Sequence, residues 1–126
     1  MQYIGKIDFD IYRCISDSIV SDDVIITLKQ IDHINESHSN AFEKYGHYLS
    51  EIVQSPDFII ESQKPNTALI LKELTDDENR RFKTVLRLIT STDDVTYKNS
   101  IITFMKIDDK EWTRLLRNKK ILYKRV

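Results

Sequence analysis

Four apolar runs rich in β-branched residues follow one another in the second half of the chain, and they constrain the fold more than any other feature. Polar segments separate them, and each run has the length and composition of a β-strand. The runs cover residues 58–61, 68–74, 82–90 and 101–107. Because the connections are short, and a parallel pair needs a crossover of about a dozen residues or more, they predict a four-stranded antiparallel meander.

Two helices are predicted before these strands and one after them. Thr27 is a typical N-cap, and the residues after it predict a helix that runs to about Ser37. A second helix is predicted over residues 41–53, where one stripe is apolar and the opposite stripe is polar. Asp108, with Glu111 three residues later, resembles a capping box, so a short helix is expected after the last strand.

Shorter segments complete the predicted architecture. Residues 3–7 and 11–15 alternate apolar and polar side chains, as two short strands or one bent ribbon would. Residues 121–123 have the composition of a closing strand. The elements together predict an α+β fold, with N-terminal helices packed on a four-stranded antiparallel sheet and a short C-terminal helix and closing strand.

Length and composition predict a single soluble domain over residues 1–126. A chain of 126 residues can bury one core, and 40% hydrophobic with 31% charged residues is typical of a folded soluble protein. No run approaches the roughly 18 apolar residues of a membrane span, and the N-terminus does not resemble a signal peptide. Since Cys14 is the one cysteine and cannot form an internal disulfide, a cytoplasmic protein without a membrane partner is expected.

The C-terminal segment is the candidate surface for a polyanion. The net charge is −1, yet residues 110–126 carry +6 and the rest of the chain carries −7. A cationic segment attracts phosphates over long range and contributes affinity rather than sequence choice. Arg117, Lys119 and Lys120 are therefore candidate substrate-binding residues, unless this is simply a solvated helix. Trp112 could stack on a base, although its place on an amphipathic helix favours packing in the core.

Several chemistries lack their sequence signature. With Gly5 and Gly46 as the two glycines, no glycine-rich phosphate loop can form, and there is no Gly-x-Ser-x-Gly nucleophile elbow. On a regular helix the side chains of His33 and His38 point about 140° apart, so both rings could bind one metal ion only if the helix broke between them. No metal site is expected, although nearby carboxylates remain available as ligands.

All three histidines, the side chains that titrate near neutrality, lie within residues 33–47. His33 projects away from the apolar stripe of its helix, so it lies either on the surface or in a cleft formed with the sheet and the C-terminal segment. His38 joins that stripe if it is helical, where a structural histidine bonded to a backbone carbonyl is the alternative to a catalytic one. His47 is predicted to be an ordinary exposed side chain.

The order of short motifs along nearly the whole chain resembles a known family. The motifs are Tyr3-Ile-Gly-Lys-Ile, Asp23-Val-Ile-Ile-Thr27, His33-Ile34 with His38, Ser55-Pro-Asp-Phe-Ile59, Asn66-Thr-Ala-Leu-Ile-Leu-Lys72, Ser100-Ile-Ile-Thr103, and Trp112 followed by Lys120-Ile-Leu-Tyr-Lys124. As an ordered set they resemble the phage-associated barnase, EndoU, colicin and RelE-like nuclease domains.

The resemblance implies a ribonuclease that needs neither a metal ion nor a cofactor. It implies active-site roles for His33, which opens the His-Ile motif, and for Thr103, which closes the Ile-Ile-Thr strand. His38 corresponds to a second histidine of the same region. Arg87 corresponds to a further catalytic position, and Tyr123 corresponds to a substrate-binding one.

These residue types suit the cleavage of RNA without a metal ion. The reaction needs a base for the 2′-hydroxyl, an acid for the leaving 5′-oxygen and donors to the phosphate. The two histidines suit either proton role, while Arg87 and Thr103 suit donation to the phosphate. Thr103 is favoured over Lys106, because the two lie on opposite faces of a regular strand and could serve one site only across a bulge.

The sequence therefore predicts a metal-independent endoribonuclease of phage or mobile-element origin that acts through a 2′,3′-cyclic phosphate. Its expected partners are RNA, bound by the phosphate backbone, and an inhibitor or antitoxin protein. The alternative is a catalytically inactive relative that binds nucleic acid or protein through the same sheet and C-terminal segment. A third reading is a structural accessory that neither cleaves nor binds RNA.

Overall fold

One mixed sheet of seven strands organises the molecule. The computed structural model describes residues 1–75 and 78–126. The strands are β1 (Gln2–Lys6), β2 (Asp23–Ile26), β3 (Phe58–Ile60), β4 (Thr67–Leu74), β5 (Arg80–Arg87), β6 (Asn99–Ile107) and β7 (Ile121–Lys124). Their spatial order is β1-β2-β6-β5-β4-β3-β7. Strands β2 and β6 run parallel, whereas the other neighbouring pairs run antiparallel.

The predicted four-stranded antiparallel sheet is therefore wrong. The meander β3-β4-β5-β6 is only the middle of a larger sheet. On one side β2 pairs with β6, and β1 pairs with β2; on the other side β7 pairs with β3. Strands β2 and β6 are far apart in the chain, and helices and three strands lie between them, which leaves ample length for a parallel crossover. Local patterns indicate that β2 is a strand but do not reveal its partner.

The helices are α1 (Phe9–Tyr12), α2 (Leu28–Ser37), α3 (Ala41–Tyr45), α4 (Leu49–Gln54) and α5 (Asp109–Asn118), with a 3₁₀ turn at Gly46–Tyr48. The side chain of Thr27 caps α2 by accepting from the backbone N–H of Gln30 at 3.2 Å. Asp108 caps α5 by accepting from the N–H of Glu111 at 2.8 Å. Both predicted N-caps are thus present, because each depends on a side chain within three residues of its partner.

Two other expectations about secondary structure are wrong. The predicted strand over residues 11–15 overlaps helix α1, which Asp8 caps by accepting from the N–H of Asp10 at 2.9 Å. The predicted helix over residues 41–53 is interrupted by the 3₁₀ turn that begins at Gly46. Glycine has a low helix propensity, and a Cβ added there would lie 3.0 Å from the ring of Phe42.

Helices pack on both faces of the sheet. On the main core face, α2, α3 and α4 pack around a large cluster that includes the fully buried Ile34, Ile52, Phe82, Leu86 and Phe104. On the opposite face, called the α5 face below, Trp112 and Leu115 pack with Ile60, Leu71 and Ile107. Lys83, Val85 and Arg87 lie on the α5 face and stay half-buried, since they alternate along β5 with residues of the main core.

A β-bulge in β6 determines where Thr103 points. The register of the β5–β6 pair shifts by one residue, so that Ile102 is an extra residue in β6. Ile101 and Phe104 are consequently both buried on the main core face, although they are three residues apart. Thr103 lies on the α5 face. Because the bulge precedes Thr103, Lys106 still lies on the opposite face from it, as the sequence predicts for these two residues.

Replacing Thr84 by valine should stabilise the protein. The Thr84 side chain is fully buried, and its Oγ1 has no hydrogen-bond partner among the described residues. A buried hydroxyl without a partner costs about 1–3 kcal/mol, so Thr84→Val should raise the free energy of unfolding in urea. Thr67→Val is the matched control, because Thr67 Oγ1 donates to Pro65 O at 2.9 Å and its loss should lower that free energy by about 1 kcal/mol. Equal destabilisation by both changes would contradict the conclusion that Thr84 Oγ1 has no hydrogen-bond partner among the described residues.

Candidate active site at the edge of strand β6

A cleft lies between helix α2 and the outer edge of β6. Strand β2 pairs with β6 only at Asn99 and Ser100, and α2 then lies beside the rest of β6. The cleft between them has a volume of about 420 Å³. Its lining residues are Lys29, Gln30, His33, His38, Ile102, Thr103 and Met105. Three residues that the sequence predicts to be catalytic therefore meet in one cleft, which we call the histidine cleft.

The end of helix α2 brings the two histidines together. Ser37 is the last helical residue, and His38 follows as the C-cap with φ −132° and ψ 41°, its N–H donating to Ile34 O at 2.9 Å. On a regular helix the side chains of His33 and His38 would point about 140° apart. The departure from helical geometry at His38 removes that constraint on the two rings. The ring centroids of His33 and His38 are 6.2 Å apart and their planes are nearly perpendicular. One phosphate group could therefore contact both rings.

The two imidazoles differ in their surroundings. His33 is exposed, and its Nδ1 lies 3.5 Å from the hydroxyl of Ser37. His38 is half-buried, and burial lowers its pKa below the usual value; the neighbouring charges of His33 and Lys83 lower it further. Each cause disfavours the imidazolium form. His38 is therefore neutral at pH 7, with a nitrogen lone pair available to accept a proton.

Thr103 contributes a hydroxyl that forms no internal hydrogen bond. Its Oγ1 is buried, and it has no hydrogen-bond partner within residues 1–75 and 78–126. A hydroxyl can donate one hydrogen bond and accept two, and rotation about χ1 moves it between staggered positions. An unpaired donor in the wall of a cleft is unusual enough to need an explanation, and a ligand in the histidine cleft would supply one.

Arg87 lies outside the histidine cleft. It lines a second cleft of about 450 Å³ with Ser100 and Tyr97. Its guanidinium donates to Asp93 at 3.0 Å and to the carbonyl oxygen of Leu88. Arg87 lies two residues along β5 from Val85, the residue that pairs with Thr103. Its donors are directed towards its own loop.

Of the predicted substrate-binding residues of the C-terminal segment, Lys119 and Lys120 are far from the histidines. Lys119 and Lys120 lie between α5 and β7, and β7 is the edge strand opposite β1. Four strand spacings separate β7 from β6, or about 19 Å at ~4.8 Å per spacing. Arg117 is exposed near the end of α5, and Tyr123 packs partly against the main core. Trp112 is buried in the α5 cluster, where its ring contacts Phe58 edge-on and Arg81 stacks over it at 4.9 Å.

Two lysines near the histidines were absent from the predicted site. Lys29 lines the histidine cleft one helical turn before His33, and this spacing of four residues is a signal that the sequence contains. Lys83 comes from β5 and is close enough to lower the pKa of His38. Its proximity depends on the pairing of β5 with β6 and on the C-cap of α2, so no local pattern could reveal it.

In the described parts of the chain, no three His, Cys, Asp or Glu side chains are grouped so that they could hold a metal ion. None of the helices described is long and apolar enough to cross a membrane.

A family model matches nearly the whole chain. The sequence model of a protein family, PBECR2, described as phage-Barnase-EndoU-ColicinE5/D-RelE like nuclease2, matches residues 1–124. The chain matches neither a curated protein nor a solved structure in the same comparisons.

Proposed function

The chain belongs to the PBECR2 family of phage-Barnase-EndoU-ColicinE5/D-RelE like nucleases, and from this premise we propose that it cleaves RNA through a 2′,3′-cyclic phosphate without using a metal ion. The observation that carries the proposal is the meeting of His33, His38 and Thr103 in one cleft, next to the ammonium group of Lys29. The family provides the class of reaction. The residues of the cleft suggest the substrate and the mechanism.

The proton transfers are assigned to the two histidines. His38, which is neutral at pH 7, accepts the proton of the 2′-hydroxyl as the 2′-oxygen attacks phosphorus. His33, on the exposed side of the cleft, donates a proton to the 5′-oxygen as the phosphorus–oxygen bond breaks. The products are a 2′,3′-cyclic phosphate and a 5′-hydroxyl. Because the nucleophile is the 2′-hydroxyl, DNA is not a substrate.

The negative charge of the pentavalent phosphate is stabilised by donors from the walls of the cleft. Thr103 rotates about χ1 and donates its unpaired hydroxyl to a non-bridging oxygen. Lys29, in the lining of the cleft, and Lys83, which lowers the pKa of His38, contribute positive charge near the histidines. Such donors act in the transition state, because the charge on the phosphate oxygens grows as the new bond forms.

Incubating the purified protein with 5′-labelled RNA in excess chelator tests this function. We expect fragments that end in a 2′,3′-cyclic phosphate and begin with a 5′-hydroxyl, as identified by mass spectrometry. Fragments that carry 3′-hydroxyl and 5′-phosphate ends would contradict the mechanism, since they require attack by an external nucleophile.

Removing the charge of Lys83 should shift the pH profile of cleavage. A neutral His38 is needed as the base, so kcat/KM should fall at acid pH as His38 becomes protonated, below the usual pH for histidine. Because Lys83 lowers the pKa of His38, Lys83→Met should raise it and move the acid limb to higher pH. Titration of the His38 ring protons by NMR should shift in the same direction. An unchanged acid limb, combined with a shifted NMR titration of His38, would show that His38 is not the base. Lys64→Met is the control, since exposed Lys64 lies in the β3–β4 connection.

A further inference from the structure

Another cleft, distinct from the one lined by Arg87, adjoins the histidine cleft along the same edge of β6. It has a volume of about 560 Å³ and shares His38 and Met105 with the histidine cleft. One wall is the turn between α2 and α3, with Ser39, and the end of α3, with Lys44 and Tyr45; the other is β6, with Lys106. We call it the lysine groove. Whatever occupies the histidine cleft can therefore continue past His38 without leaving the surface.

The charges in the lysine groove favour a phosphate. Lys44 and Lys106 are both exposed, and neither takes part in an ion pair with any residue of the described chain. Asp108 is the carboxylate in the lining, and its Oδ1 is already bonded to the N–H of Glu111 as the N-cap of α5. Two ammonium groups that face solvent across a narrow groove attract a phosphate and release its counterions when they bind it.

The surface beyond the lysine groove is less suited to phosphate. A further cleft shares Lys106 and Asp108 with the groove and continues to Arg81. There Arg81 donates to Glu73 and to Asp109, both at 2.7 Å. A guanidinium with two carboxylate partners has little attraction left for another anion. The charge of Arg81 is thus already balanced by its two partners.

One wall of the lysine groove is built from a preorganised turn. Ser39 and Asn40 both have left-handed backbone conformations, with φ 54° and 61°, which are costly for residues other than glycine. The turn is held by Asn40 N–H donating to Asn35 O at 2.9 Å and by Ala41 N–H donating to His38 O at 3.1 Å. The same turn positions His38, so the histidine cleft and the lysine groove keep a fixed relation to each other.

We propose that the lysine groove binds the nucleotide unit next to the scissile phosphate, with Lys44 and Lys106 holding the phosphate of that unit. This inference rests on the proposed ribonuclease function and specifies its substrate as a single strand that extends beyond the cleaved bond. Two adjoining clefts of this size accept successive units of one strand, whereas a duplex would present a second backbone with no groove to receive it.

Two substrates test the proposal. A dinucleotide carries only the scissile phosphate, whereas a single-stranded octanucleotide also carries a phosphate for the groove. For Lys44→Ala and Lys106→Ala, kcat/KM for the octanucleotide should fall about tenfold each, the effect expected for a lost charged hydrogen bond. The values for the dinucleotide should stay unchanged. Lys64→Ala is the matched control and should change neither substrate.

Binding of a 2′-O-methyl octanucleotide, which cannot be cleaved through its 2′-oxygen, separates this proposal from the proposed function. Each groove variant should weaken binding and reduce the slope of log K against log salt by about 0.7. If the wild type binds this ligand through Lys44 and Lys106 but cleaves no RNA, the groove stands and the ribonuclease function fails. If it cleaves the octanucleotide and both variants match the wild type, the groove is overturned. Losses confined to Lys119→Ala and Lys120→Ala would assign the RNA to the C-terminal segment instead, and an absence of both binding and cleavage would overturn both proposals.

Discussion

His33→Ala and His38→Ala should each reduce kcat/KM for RNA by about 10²–10⁴-fold, the usual effect of removing a general acid or base. The two rings are 6.2 Å apart in the histidine cleft, and in the proposed mechanism they serve opposite proton transfers in the same step. Since they act as a unit, the double variant should be only slightly slower than the slower single variant. Steady-state kinetics on a short RNA measure all three variants.

His47→Ala is the matched control for these two changes. His47 is exposed, and its ring contacts Tyr48 at 4.1 Å outside the histidine cleft. Its replacement should leave kcat/KM within about twofold of the wild type, since surface substitutions away from a site are nearly neutral. His33 is exposed and His38 is half-buried, so their variants should keep the wild-type circular dichroism spectrum. Full activity in either variant would remove that histidine from the mechanism.

Thr103→Val should slow cleavage and stabilise the protein at the same time. Loss of a hydrogen bond to a developing oxyanion costs about 10²–10³-fold in kcat. In the free protein, however, the Thr103 hydroxyl is buried without a partner in the described chain, so its removal should raise the free energy of unfolding by about 1 kcal/mol. A residue that is unfavourable for folding yet required for activity is typical of an active site.

Thr84→Val separates the effect of Thr103→Val on stability from its effect on cleavage. Thr84 has the same unpaired hydroxyl in the main core and does not line the histidine cleft. Its replacement should give a similar gain in stability with unchanged kcat. A loss of stability in Thr103→Val, combined with normal kcat, would mean that Thr103 is only a structural residue.

The sequence predicted those parts of the fold that depend on neighbouring residues. The caps at Thr27 and Asp108 are correct because the capping oxygen and its donor are three residues apart. The number of strands in the sheet was wrong, since the pairing of β2 with β6 joins residues more than 70 positions apart. The helix predicted over residues 41–53 is interrupted at Gly46, because the apolar stripe indicates which face is buried but not where the helix changes to a 3₁₀ turn.

The candidate site was predictable only in part, because it also depends on contacts between residues that are distant in the chain. The motif order singled out His33, His38 and Thr103, and the structure places all three in the histidine cleft. Their catalytic roles remain predictions. Charge counting directed attention to the C-terminal segment, but strand order places β7, its last element, at the other edge of the sheet. Strand order depends on long-range pairing, which composition does not encode.

Cleavage of a DNA oligonucleotide that contains one ribonucleotide, in excess chelator, tests the central claim most directly. The account predicts one cut, on the 3′ side of the ribonucleotide, with a 2′,3′-cyclic phosphate on one fragment and a 5′-hydroxyl on the other. The cut should disappear in His33→Ala and persist in His47→Ala. Cleavage at deoxyribonucleotides, or failure to cut both this oligonucleotide and its all-RNA counterpart, would contradict the account.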